Sequence, residues 1–114
     1  MNADEIRRCL VQLVSADPAE RDAAREALYT QQEDAVYPLL DQFYAGVDEA
    51  TGVAVLGVVA DIGGPDALAA LRQVFHFEER PAWRRAAARG LLRNRANLDH
   101  DEITAVERFL ETNG

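Results

Sequence analysis

The sequence predicts an all-α chain in which three helix pairs and a closing C-terminal helix stack as an α-α superhelix. Three observations carry that expectation. First, the run Pro18-Ala19-Glu20-Arg21-Asp22-Ala23-Ala24-Arg25-Glu26-Ala27-Leu28 returns as Pro81-Ala82-Trp83-Arg84-Arg85-Ala86-Ala87-Ala88-Arg89-Gly90-Leu91, with a more apolar copy between them from Glu49 to Val59. The spacing is about 31 or 32 residues, and a fixed period in that range marks units too small to bury a core alone, which must stack on their neighbours. Second, the intervening segments align independently. Ile6/Val36/Leu68/Ile103, Cys9/Leu39/Leu71/Val106 and Leu13/Phe43/Phe75/Leu110 share one set of spacings, and within each unit they step by three or four, as one face of a helix does. The alanine-rich halves have their own columns, Ala24/Val55/Ala87 and Leu28/Val59/Leu91. Third, helix starts and stops fall between these halves, and no alternating strand pattern of useful length occurs.

Taken in order, seven helices are expected at about 3–15, 18–31, 34–45, 49–62, 65–77, 81–94 and 100–112. Asn2 with Glu5 opens the first and Asp99 with Glu102 the last, each an acceptor side chain followed three residues on by an acid. Asp17-Pro18 with Glu20 starts the second: a cap, a proline at the first helical position and an acid in the first turn. Pro38 lies inside the third, where it is expected to bend the helix near its start. Asp48 caps the fourth, and Pro65 and Pro81 open the fifth and sixth. Stops are expected at Gly46, at Gly63-Gly64, near Asn94 to Asn97 and at Asn113-Gly114. The first helix of each pair offers large side chains and the second offers small ones, so that backbones approach closely while the larger partners fill the space between them.

The pattern Pro-x-x-Arg-x-Ala-Ala-x-x-Ala-Leu at Pro18 to Leu28, nearly intact at Pro81 to Leu91, resembles the second helix of HEAT-type repeats. The resemblance is closest to the short HEAT-like repeat of the phycobilisome-lyase subclass. Ile62-Gly63-Gly64-Pro65-Asp66-Ala67-Leu68-Ala69-Ala70-Leu71 is similar to that family's linker and next first helix. It covers nearly the whole chain, and the middle copy departs from it with Gly52 where the others carry Arg21 and Arg84. The resemblance implies an α-solenoid whose second helices line a concave surface for another macromolecule. It implies no common reaction, because a fold of this kind serves unrelated functions.

Length and composition fit one domain spanning 1–114. A chain of 114 residues can bury roughly two thirds of its unfolded surface, and a hydrophobic content of 48% separates it from disordered chains. No run reaches the length of a membrane span; the apolar stretch from Val53 to Ile62 is short and broken by Gly57 and Asp61. The N-terminus has no apolar signal core, and one cysteine forbids an intrachain disulfide, so a cytoplasmic location is expected. No metal or cofactor is expected, because no ligand set with defined spacing, phosphate loop or nucleophile-and-base arrangement can be read.

Cys9 shares a column with Leu39, Leu71 and Val106 and reads as a small core residue. His76 and His100 read as helix-end residues. Trp83 reads as packing between helices rather than as a stacking platform. Arg21 and Arg84 hold one slot in two repeats, which suits a bond from the planar guanidinium to an acid or helix end in the next unit.

The formal net charge is −8, yet it is unevenly spread, and all 12 basic residues are arginine. Segment 35–66 has five acids and no base; segment 67–97 has seven arginines against two acids. Arg85, Arg89 and Arg93 step by four along one side of the sixth helix. Two readings stand: these arginines pair with Glu78, Glu79 and the acids at 99–102, or they form a stripe for an anionic ligand.

The expected function is that of a non-catalytic protein-interaction module, a small scaffold or adaptor. The middle alanine-type helix is apolar all round, which places it either against a partner or inside a tightly curved array. The first option makes Val53, Leu56 and Ala60 an exposed apolar strip, flanked by Arg25 and Tyr29 on one side and Arg85, Arg89 and Leu92 on the other. An apolar centre with an arginine and aromatic rim is the common composition of interface hot spots. The expected partner is a helix or tail with apolar anchors and acidic flanks, or a second copy of the chain. Alternatives are nucleic-acid binding through the arginine stripe, disfavoured by a pI near 4.6, and an accessory subunit of a lyase-type enzyme, implied by the subclass alone.

Overall fold

In the computed structural model, which describes residues 1–113, four of the helices start at a side chain that accepts from a free N–H group of the first turn. The helices are α1 (Ala3–Leu13), α2 (Pro18–Gln31), α3 (Val36–Ala45), α4 (Glu49–Ile62), α5 (Pro65–Phe77), α6 (Pro81–Arg93) and α7 (His100–Asn113), with single 3₁₀ turns at Gln32–Ala35 and Arg95–Asn97. Among the described residues there is no strand. Asn2 Oδ1 accepts from the Glu5 N–H, Asp17 Oδ1 from Ala19, Asp48 Oδ1 from Thr51 and Asp99 Oδ1 from Glu102. These are the expected caps. The stop expected at Asn113-Gly114 involves Gly114, which lies outside the described residues.

One element differs from expectation. The α-helix expected from about 34 begins at Val36, after the 3₁₀ turn. Pro38 is then the third residue of α3, among the four N–H positions that have no intrahelical acceptor, and it needs no bend. The turn before it hides a feature with no glycine to signal it. Gln32 has φ 52° and ψ −133°, and Gly63, which ends α4, has φ 70° and ψ −162°. The two follow the last residues of α2 and α4, and only the second uses the residue suited to a left-handed backbone.

The aligned columns form the core. Ile6, Leu39, Phe43, Leu71, Phe75 and Val106 are all buried, and Cys9 is buried among them. Ile103 and Leu110 of α7, at the ends of two of these columns, are only half-buried. The most extensive packing is of α4 on α6; α1 with α2, α3 with α4, α4 with α5, α5 with α6 and α6 with α7 pack as sequence neighbours, and α1 also meets α3 and α4, α2 meets α4 and α3 meets α5. The chain measures 38 × 25 × 24 Å with a radius of gyration of 13.7 Å, close to the roughly 13 Å of a single compact domain of this length.

Small residues set the closest approach. At Gly90 of α6 an added Cβ would lie 2.8 Å from the Ala60 Cβ of α4 and 3.3 Å from Leu71 of α5. Asn94 then ties the ends of α4 and α6 together, its Nδ2 donating to the carbonyls of Ala60 at 3.0 Å and Gly90 at 2.9 Å. Among the described residues no helix is long and apolar enough to cross a membrane.

Candidate functional site

The residues expected to contact a partner belong to α2, α4 and α6, and their surroundings follow from how closely those three helices pack. α4 touches α1, α2, α3, α5 and α6, so a helix that is apolar all round is covered on most of its circumference. Leu56 is 0% exposed and Ala60 is buried under Gly90. The exposed apolar strip expected at Val53, Leu56 and Ala60 is therefore corrected: only Val53, at 39% exposure, reaches the surface. The wet edge of α4 runs instead through Ala50, Val53, the half-buried Gly57 and Asp61, rotated by part of a turn from the expected line.

Arg25 and Tyr29 are exposed on the α2 side, and Arg25 lies 4.0 Å from Asp22, one turn earlier on its own helix. On the α6 side Arg89 is exposed, while Arg85 and Leu92 are half-buried. The three helices are linked across this face by Tyr29 and by two side chains not included in the expected site, Asp61 and Arg93. Tyr29 Oη donates to Asp61 Oδ2 at 2.7 Å, and Arg93 Nε sits 3.6 Å from Asp61 Oδ1. Arg93 Nη2 also donates to the Gly57 carbonyl at 3.3 Å. Partial burial, then the hydrogen bond to Asp61 and its negative charge, push the Tyr29 phenol up to about 12. A sequence signal for this bridge exists, since Asp61 is the only charged residue between Thr51 and Ile62 and marks the solvent side of α4.

The arginines of the third pair divide by partner. Arg72 makes a two-pronged bond to Glu102, Nε to Oε2 at 2.7 Å and Nη2 to Oε1 at 3.3 Å, tying α5 to α7. Arg95 reaches Glu107 at 3.5 Å. Arg80 lies over the Trp83 ring at 4.2 Å. Among the described residues Arg85 and Arg89 have no carboxylate within ion-pair reach. Pairing with Glu78, Glu79 and the acids at 99–102 thus accounts for Arg72 and leaves the outer part of the stripe unmatched.

Arg21 and Arg84 each donate to a backbone carbonyl of their own pair. Arg21 Nη1 meets Ser15 O, in the loop after α1, at 3.1 Å, and Arg84 Nε meets Phe75 O, in the last turn of α5, at 3.0 Å. Only the second acceptor belongs to a helix end, and it lies within the pair rather than in the next one. Arg84 also spans Phe75 and Phe109, at 5.8 Å and 4.5 Å from their ring centres, and so joins α5, α6 and α7. Trp83 is buried, as expected of a packing residue.

A groove of about 450 Å³ lies elsewhere, between α1 and the start of α4, with Leu10, Val11, Val14 and Val47 along it. Comparison with protein-family models, with curated proteins and with solved structures finds no match.

Proposed function

We propose that the chain is a short HEAT-like array, a non-catalytic interaction module whose α2/α4/α6 face holds an acidic segment of a partner protein. Four features support the array. Helices contact others one and two places along the chain, and α1 also meets α4, as stacking of pairs allows. The 38 Å axis equals four rows of helices at an interaxial spacing of about 9–10 Å. The short axes of 25 and 24 Å suit helices of 14 residues, about 21 Å long. The arginine slot serves the same purpose in the first and third units.

The observation that carries the binding face is the unmatched pair Arg85 and Arg89. They stand one turn apart on α6, which packs against α4, so successive carboxylates of one partner segment can reach both guanidinium groups. Arginine in such a setting offers two-pronged bonds that a solvated surface charge does not. The rest of the face is held rigid by the Tyr29–Asp61–Arg93 bridge.

Titrating the isotope-labelled chain with a helical peptide that carries glutamates four residues apart tests this by nuclear magnetic resonance. Saturable shifts at Val53, Gly57, Arg85 and Arg89 are expected. Arg85→Ser with Arg89→Ser is expected to weaken binding about tenfold or more, equivalent to about 1.4 kcal/mol. Stronger shifts at the same residues with a single-stranded oligonucleotide would transfer the face to nucleic acid and overturn the protein-partner reading.

A further inference from the structure

The three most exposed of the chain's eight aromatic residues lie on one surface, and it is not the face described above. Tyr37 is 60% exposed, Tyr44 56% and Phe77 80%. They border a groove between α3 and α5, on the side of the molecule formed by the first helices. One section of about 250 Å³ runs from Tyr37 to Tyr44 over a floor of Ala69 and Ala70. A second, of about 180 Å³, continues from Tyr44 and Gln73 to Phe77 and Glu78.

The register explains the grouping. Tyr37, Asp41 and Tyr44 step by four and three along α3, opposite the buried Leu39 and Phe43. Asp66, Ala69, Gln73 and Phe77 do the same on α5. On the α3 wall a carboxylate stands between two rings, and the α5 wall runs from the carboxylate of Asp66 to the ring of Phe77. The Asp66 carboxylate across the groove raises the Tyr37 phenol pKa. Burial and the nearby Glu78 charge raise that of Tyr44.

Among the described residues no basic side chain forms an ion pair with the acids of this groove. Asp41, Asp66 and Glu78 line the groove, segment 35–66 contains no basic residue, and the only arginine of α5, Arg72, turns away to Glu102 of α7. Aromatic faces beside carboxylates are the chemistry that recognises a cation with a flat or apolar body: the ring attracts the guanidinium face and the carboxylate takes its N–H groups. Tyr37 and Tyr44 are seven residues apart on α3, about 10 Å along its axis. That matches the rise between cationic side chains seven apart on a second helix laid alongside.

We propose that the α3/α5 groove docks an arginine-bearing helix of a partner protein, its guanidinium groups set on Tyr37, Tyr44 and Phe77 and held by Asp41, Asp66 and Glu78. The inference stands apart from the acidic-partner face, because it uses the opposite charge and a different row of helices.

The test is titration of the labelled full chain with an alanine-based helical peptide bearing arginines at positions i, i+4 and i+7. A second peptide replaces each arginine with citrulline, keeping the shape and removing the charge. Saturable shifts confined to residues around Tyr37, Asp41, Tyr44, Gln73 and Phe77 are expected with the first peptide and none with the second. Asp41→Asn with Asp66→Asn is expected to weaken binding by at least about fivefold. Tyr44→Ala with Phe77→Ala is expected to weaken it similarly with charge unchanged, and thermal melting of both double variants verifies that they fold. Equal binding of the citrulline peptide, shifts centred on α2 and α6, or undiminished binding by the folded variants overturns the proposal. Concentration-dependent dimerisation that shifts the groove residues without peptide also overturns it, by giving the groove to a second copy.

Discussion

The indole of Trp83 occupies the volume that any side chain at Gly52 would need. Its Nε1 donates to the Glu49 carbonyl at 3.0 Å, and its ring centre lies 4.5 Å from that of Phe43. The slot that carries Arg21 and Arg84 in the outer repeats is thus emptied in the middle one so that an aromatic from the next pair can enter. Two departures from the repeat, a glycine in α4 and a tryptophan in α6, are one packing device.

Gly52→Ala is accordingly expected to destabilise the chain by about 1–3 kcal/mol through overpacking, although alanine ordinarily favours a helix by about 1 kcal/mol over glycine. In a Trp83→Leu background the same substitution is expected to become neutral or stabilising. Urea unfolding of the four proteins measures this, and equal effects of Gly52→Ala in both backgrounds would refute the coupling.

Gln32 holds a backbone conformation that costs a side-chain-bearing residue about 1–3 kcal/mol. Gln32→Gly relieves that cost and returns part of it as unfolded-chain entropy. A net gain of about 1 kcal/mol is expected, seen as a higher urea midpoint. Gly63→Ala, just after α4, is expected to destabilise, since φ there is 70° and an added Cβ would come within 3.2 Å of Asn94 Oδ1.

Val53 and Leu56 separate by burial. Leu56→Ser removes a fully buried leucine and leaves a hydroxyl in the core, and a loss of several kcal/mol, about 2–5 from the cavity alone, is expected. Leu71→Ala, equally buried, is expected to cost about 2–5 kcal/mol. Val53→Ser is expected to change stability by about 0.5 kcal/mol or less. A near-neutral Leu56→Ser would restore the strip to the surface.

The Tyr29 phenol titrates from about 12 in the folded chain against an ordinary value of 10.0. The raised value means that the neutral phenol is favoured by folding. Its contribution is fully present below pH 10 and is lost as pH rises from about 10 towards about 12. Tyr29→Phe is therefore expected to flatten the decline in stability across that window, and ultraviolet titration is expected to show one fewer late phenolate. An unchanged alkaline decline in the variant would remove Tyr29 as its source.

Helix positions, caps and the columns Ile6 to Leu110 were legible because they depend on local chemistry: an acceptor before an N-terminus, a proline at its start, side chains repeating every three or four residues. The bridge Tyr29–Asp61–Arg93 was only half legible. Asp61 betrays the wet side of α4, but nothing local brings residues 32 positions apart in sequence into hydrogen-bond contact. The outer aromatic groove was not read from the sequence, although Tyr37, Tyr44 and Phe77 all fall outside the core columns.

The sequence by itself determined seven helices, their order and the residues that form the core, since short-range hydrogen bonding and hydrophobic periodicity fix those. Tertiary structure alone decided which side of α4 meets water. Periodicity cannot orient a helix that is apolar all round; its exposed edge is whatever its neighbours leave uncovered. Here Gly90 and Ala60 let α6 close over one side, Trp83 fills the space at Gly52, and what remains is the line from Val53 through Gly57 to Asp61.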